Sequence, residues 1–280
     1  MEGGRGGRRR RRWEAMEVDC LVNVFARLGL DDLTLSVPFV CKSWLAAALD
    51  PLCWKKLDFR RLELLPWSHF PKSFTLHYSL PFFSFTYLLR FAVCRSCDSA
   101  TELRFPLKTT SVEDLIFASN KCPNLKSVAL PVLSPDEEEQ IPNLIRSWKN
   151  LERLQMEIKP SNFSELLKSI SRHCRRFSEL RVSGSIREED AMAIVGFLPR
   201  LKKVDLSRSY LPKAELMIIL NGCRKLGEVI VENCVGFHGG DGEILAMASE
   251  IKEFRDKGSK LCYVHELHRD DSLGFHGYAL

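Results

Sequence analysis

The sequence predicts an α/β fold wound as a solenoid, short parallel strands alternating with helices, and three observations carry that expectation. The first is a recurring template, seen as CPNLKSVAL from Cys122 to Leu130: an anchor residue, then apolar residues three, six and eight places on. It returns as WKNLERLQM (Trp148 to Met156), CRRFSELRV (Cys174 to Val182), LPRLKKVDL (Leu198 to Leu206) and CRKLGEVIV (Cys223 to Val231). The second is its period. Cys97 with Ala100, Leu103 and Phe105 fits upstream, and Ala248 with Ile251 and Phe254 downstream, so anchors fall at 97, 122, 148, 174, 198, 223 and 248. The third is the helix signals between templates: Ser111–Asp114, Ser134–Glu137 and Ser185–Glu188 each place an acid three residues after a serine. Such pairs satisfy free N–H groups at a helix start.

A period of roughly 20–29 residues with this apolar spacing is the leucine-rich-repeat signature. In each template the strand alternates, so Val128 and Leu130 face the core while Ser127 and Ala129 face away. Helices follow with apolar stripes at Leu115-Ile116, Ile141 with Leu144-Ile145, Leu166-Leu167 with Ile170, Met192 with Val195, Leu216 with Ile219-Leu220, and Ile244-Leu245. Pro135 and Pro212 suit first turns. Cys97, Cys122, Cys174 and Cys223 share the anchor with Trp148 and Leu198, so they are read as small buried hydrophobes in a reducing compartment, not disulfide partners. The nucleus, the cytoplasm or both are the expected locations.

Net charge is +5, and residues 1–12 hold six arginines against one acid, which leaves the rest formally neutral. A folded part with that balance exerts no overall pull on a phosphate backbone. The leader, MEGGRGGRRRRR, is expected to be disordered. It reads either as a nuclear-localisation or nucleic-acid tail or as an unstructured leader. Ser73 to Leu89 is uncharged over 17 residues, yet it contains His77 and Pro81 and is short of a bilayer span. No membrane partner is expected.

From residue 13 the composition changes. Val18, Leu21, Val22, Phe25 and Leu28 share a helix face; Gly29 stops it, and Asp31 or Asp32 can cap a second helix from Leu33. Pro38 suits the first turn of a third, carrying Val40, Cys41, Trp44, Leu45 and Ala48 and ending before Asp50-Pro51. So much apolar surface on about 40 residues implies a docking face. Pro51, Trp54, Leu57 and Phe59 already match the template; Phe74, His77, Leu80 and Phe82 fill the next interval weakly, before an amphipathic helix from Phe85 to Arg95.

The runs MEVDCLVNVFARL, DDLTLSVPFVCKSW and DPLCWKKLDF resemble an F-box. The matching features are an acid before Leu21-Val22, Val24-Phe25, Asp32-Leu33, Val40-Cys41-Lys42 with Trp44, and Asp50-Pro51 with Trp54. The chain departs in opening with Met16-Glu17 where many F-boxes have Leu-Pro. An F-box followed by cysteine-anchored repeats resembles the plant F-box/leucine-rich-repeat proteins. That resemblance implies a non-catalytic substrate receptor of an SCF (Skp–cullin–F-box) ubiquitin ligase, docked on a Skp-type adaptor and through it a cullin. Adaptor contacts are then expected at Leu21, Phe25, Leu33, Pro38, Val40 and Trp44. The expected organisation is a leader at 1–12, the F-box at 13–58, a junction with divergent first repeats at 59–96, repeats at 97–256 and a cap or tail at 257–280. A leucine-rich binding scaffold with no ligase connection is the alternative.

The outward strand positions form a polar face of mixed sign, better suited to a protein than to a small apolar ligand. Its expected centre, the candidate substrate site, is Arg153, Gln155, Arg181, Lys203 and Asp205. Each arginine offers a planar fork of donors to a carboxylate. Signals for catalysis or cofactors are weak. Cys94-x-x-Cys97 lacks the second pair a zinc site needs, and Cys97 is expected to be buried. His265-x-x-His268 lies in a polar tail, and the loop Gly236 to Gly242 lacks phosphate-loop spacing. Neither an enzyme nor a cofactor or metal is expected.

Overall fold

The computed structural model describes residues 16–261. The arginine-rich leader, His265, His268 and His276 lie outside the described residues. The described chain forms two compact units, divided after Arg181.

The first unit opens with three short helical passages. Helix α1 (Val18–Phe25) buries Leu21, Val22 and Phe25, its apolar positions three and four apart. Val18 is exposed. The second passage widens to a π-helical turn at Asp32–Ser36 and tightens to a 3₁₀ turn at Val37–Phe39. Pro38 therefore sits in this tight turn, and the third passage, α2 (Lys42–Ala48), begins only at Lys42. The proline has no N–H to give, so the carbonyl four residues back, Thr34, needs another donor. Tyr78 supplies it: its O–H donates to Thr34 O at 2.8 Å. Asp50 then caps a 3₁₀ turn (Pro51–Trp54) by accepting from Leu52 N at 2.8 Å. Trp54 is fully buried, with Nε1 donating to Ala48 O at 2.7 Å.

Strand β1 (Lys56–Asp58) follows at once and pairs in parallel with β2 (Glu102–Arg104), Leu57 opposite Leu103. No strand forms around Leu80 or Phe82. The extra residues make α3 (His69–His77), which packs back on the helical head, and α4 (Phe85–Ser96). Phe91 links the two helices to the head, with ring centroids 5.4 Å from Phe74, 4.7 Å from Tyr78 and 5.8 Å from Trp54. The Arg95 guanidinium lies 3.5 Å from the Phe91 centroid. Edge-to-face rings and a covering cation add specificity to the area they bury.

Beyond β2 the repeats are regular. Strands β3 (Ser127–Ala129), β4 (Arg153–Gln155) and β5 (Glu179–Arg181) add in sequence order, all parallel and in register. Between them lie α5 (Val112–Lys121), the pair α6 (Pro135–Glu138) and α7 (Ile141–Ser147), and α8 (Phe163–His173). The central residues Leu103, Val128, Leu154 and Leu180 are buried, as are Leu125 and Leu151 of the template. Ser111 and Asp114 form their reciprocal cap, and Ser134 N donates to Glu137 Oε2 at 2.8 Å.

The anchor cysteines are buried at 122, 174 and 223, but Cys97 is exposed. It ends α4 with φ 44°, a left-handed cap, and Ser96 takes the buried place by donating to Val93 O at 2.7 Å. The buried thiols add a bond between repeats: Cys174 Sγ approaches Trp148 O at 3.4 Å and Cys223 Sγ approaches Leu198 O at 3.8 Å. Burial pushes Cys174 up to about 12; burial and then Asp98 push Cys122 up to about 12.

The second unit repeats the plan with α9 (Glu188–Phe197), β6 (Lys203–Asp205), α10 (Lys213–Gly222), β7 (Glu228–Ile230), α11 (Gly242–Met247) and β8 (Glu253–Arg255). Its three strands are parallel and in register. The cap of α9 is not Ser185 with Glu188: Arg187 N donates to Asp190 Oδ2 at 2.9 Å. Pro212 precedes α10 as its cap residue. Met192 is exposed, and α9 buries Ala191 and Ile194 instead. Helix α10 comes close to α9 at its end: a Cβ on Gly222 would overlap the Val195 methyls. Gly236 has φ +129° and lies against Leu211 O, where a Cβ would stand only 2.6 Å away.

Candidate docking surfaces

Two surfaces are candidates for docking, and only the first leaves large apolar side chains uncovered. The first is the helical head. Of the expected adaptor contacts, Leu21, Phe25 and Leu33 are buried and hold the head together, so they offer no surface; this corrects the expectation for those three. Each lies on the face its helix turns toward the others, where burying a large side chain is worth about 1.5–3 kcal/mol. Pro38 and Trp44 are half-buried, Trp44 meeting Phe25 edge-on at 5.2 Å. Val40 alone is well exposed, at 56%. Also exposed on the head, and not among the expected contacts, are Phe39, at 50%, and Val18, Val24, Leu45, Leu49 and Leu52. The spacing of Leu45, Leu49 and Leu52, away from buried Ala47 and Ala48, was the available signal. Phe39 also rests on α3, 4.4 Å from the His77 ring.

The second surface is the strand face. Neighbouring parallel strands bring like positions within about 4.8 Å, so charges there tend to pair with one another. Gln155 Nε2 donates to Glu157 Oε1 at 2.9 Å. Arg60, absent from the expected site, spans three repeats: Nε donates to Phe105 O at 2.9 Å, Nη2 to Leu130 O at 2.8 Å and Nη1 to Glu157 Oε1 at 2.7 Å. Burial alone would push the Glu157 carboxyl up. The bonds from Gln155 and Arg60, with the charges of Arg60 and Arg181, outweigh it and hold the group below its ordinary range. Arg181 is thus drawn toward Glu157. Arg153 is exposed, and no described residue pairs with its guanidinium.

In the second unit Lys203 Nζ lies 2.6 Å from Glu228 Oε1, and Arg255 reaches the same oxygen at 3.1 Å. Lys203 first, by its hydrogen bond, holds Glu228 below its ordinary range. Asp205 is only 8% exposed, and its Oδ1 accepts from Ser207 N at 3.0 Å. It shapes the turn after its strand and is not a free contact, a second correction. Ala129 and Ile230, also outward by alternation, are likewise covered. Among the described residues no group of three or more His, Cys, Asp or Glu side chains is placed to hold a metal, and no helix is long and apolar enough to cross a membrane.

A helical head leading directly into strand–loop–helix repeats of one period defines the class, a leucine-rich-repeat protein with an N-terminal docking module. No protein-family model matches the chain. Individual relatives do. It is 31% identical over 229 residues to the Arabidopsis thaliana F-box/LRR-repeat protein At3g48880, covering 78% of this chain and 71% of the relative. It is 25% identical over 275 residues to F-box protein SKIP1 (90% and 88% covered) and 24% identical over 237 residues to Putative F-box/LRR-repeat protein 9 (81% and 90%), both also of Arabidopsis thaliana. The chain belongs to the F-box/LRR-repeat family.

Proposed function

We propose that this F-box protein is the substrate-recognition subunit of an SCF ubiquitin ligase, its head docking on a Skp-type adaptor linked to a cullin and its repeats presenting a protein for ubiquitylation. The chain then carries out no chemistry of its own, and it acts in the nucleus, the cytoplasm or both. One observation carries the reading: exposed large apolar side chains, Phe39 and Val40 foremost, gather on a head whose own core is already filled by Leu21, Phe25 and Leu33. A filled core with apolar surface left over supports a partner that covers it.

The test is coexpression of the full chain with a Skp-type adaptor. Val40→Asp with Leu49→Asp, two exposed positions, is expected to abolish copurification while the thermal melt of the chain stays close to that of the parent. A folded parent that never copurifies with the adaptor would leave only a binding scaffold. For the substrate end, Arg153→Ala with Arg181→Ala is expected to abolish substrate capture and spare adaptor binding. Capture equal to the parent's would move the site away from the strand face.

A further inference from the structure

The loops that leave the strand ends carry a feature that neither the helical head nor the strand face accounts for. Leu107, Val132 and Ile158 occupy the third position after β2, β3 and β4 and are all exposed, Ile158 at 57%. Backbone pairing continues as far as the first two of these, since Val132 N donates to Leu107 O at 3.0 Å. At one end lies a groove of about 380 Å³ lined by Leu62, Leu65, Pro106 and Leu107 among others. Three apolar side chains on successive repeats, all facing water, are an unpartnered face.

The charge beside the row is mixed, with acids in excess near Val132. Residues 131–140 hold Asp136, Glu137, Glu138 and Glu139 and no base. Glu137 is used in the cap with Ser134, and Glu138 accepts from Ser161 N at 2.8 Å. Asp136 and Glu139 remain exposed, and Glu139 lines an open polar groove of about 560 Å³ with exposed Glu165, Ser161, Asn162 and Ser164. Lys108 beside Leu107 and Lys159 beside Ile158 offset part of this charge, and Arg60 is paired with Glu157, which still leaves the acids around residues 136–139 and Glu165 in excess.

We infer that this rim is a second docking site, for a substrate segment carrying apolar side chains followed by Lys or Arg. The apolar part covers Leu107, Val132 and Ile158, and the cations meet Asp136, Glu139 and Glu165. The inference rests on the reading that the repeats hold a protein segment, but it does not require the adaptor.

The test pans a phage-displayed library of random dodecapeptides against the full chain, without adaptor, at low and high salt. Enriched peptides are expected to combine apolar residues with an excess of Lys and Arg, and to lose about tenfold in affinity on Val132→Asp with Ile158→Asp. Asp136→Lys with Glu139→Lys is expected to shift enrichment toward Asp and Glu. All four positions are exposed, and unchanged melting temperatures confirm that the variants fold. Acidic or charge-neutral enrichment, binding that survives the Val132/Ile158 change, or no enrichment over that variant would overturn the site. Two other occupants are also tested. Self-association by light scattering that Ile158→Asp abolishes would assign the face to a second copy. Peptide binding that appears only after deletion of residues 1–12 would assign it to the chain's own arginine-rich segment. Either result overturns the partner assignment. Loss of adaptor copurification with peptide capture intact would sink the ligase reading and leave the rim site standing.

Discussion

Removing the Arg60 side chain is the sharpest test of how the turn after β1 is joined to the later repeats. Its guanidinium makes three bonds to three successive repeats and is only 17% exposed. A bond with one charged partner is worth about 1.5–3 kcal/mol net, but the remaining exposure lets water replace part of the loss at the two carbonyls and at Glu157. Arg60→Ala should therefore cost about 2–4 kcal/mol, and Arg60→Lys, which keeps the charge but not the fork, about half of that. Urea unfolding followed by circular dichroism measures the total. Hydrogen exchange by mass spectrometry locates it: amides of residues 59–65 and 105–111 should exchange faster, while those of 203–231 keep the parent's rates. A cycle with Glu157→Gln should show coupling of about 1 kcal/mol or more. Loss below about 0.5 kcal/mol, the range of ordinary surface substitutions, would refute the bridging role.

Other outcomes follow from single contacts. Tyr78→Phe leaves the Thr34 carbonyl without its donor and should cost about 1–2 kcal/mol, read as a lower urea midpoint. Gly222→Ala should cost about 1–3 kcal/mol by driving a methyl into Val195, with much of it restored by Val195→Ala in a second round of melts. The buried anchor thiols set an alkaline limit. In the unfolded chain they ionise near 9.0, whereas folded Cys122 and Cys174 hold their protons to about 12. Their contribution is complete below pH 9.0 and is lost as pH rises toward 12, by about 1.4 kcal/mol per pH unit for each thiol. Cys174→Ala should flatten the fall of the urea midpoint between about pH 9 and 11, and an unchanged slope would count against burial of that thiol.

The repeats were legible because their apolar positions are set by strand alternation and by a fixed period, both of which can be read along the chain. Legibility failed wherever a choice depended on a neighbour in space. Met192 looked like the buried face of its helix, yet it is exposed and the helix buries Ala191 and Ile194, while Gly222 of α10 packs against Val195. Cys97 kept the anchor spacing, but a left-handed residue at the helix end moved burial one place back to Ser96. In the head, the apolar run was visible but its division was not: Leu21 and Val40 have similar side chains, and only the packing of α1 against α2 tells core from contact. Arg60 was invisible as a functional residue, since its partners lie 45, 70 and 97 residues away.

The excursion between β1 and β2 has a consequence for how such a chain can change over evolutionary time. Within the regular repeats the anchors at 97, 122, 148, 174, 198, 223 and 248 keep their spacing within one residue of 25, so each connection has little slack. Lys56 to Glu102 escapes that rule, because α3 turns away from the strands and spends its apolar face on the helical head. Residues can be gained or lost there singly without shifting the register of β2 to β5. Descendants of this gene should therefore differ from one another by arbitrary lengths in that one segment, and elsewhere by a residue or two or by whole repeats of about 25.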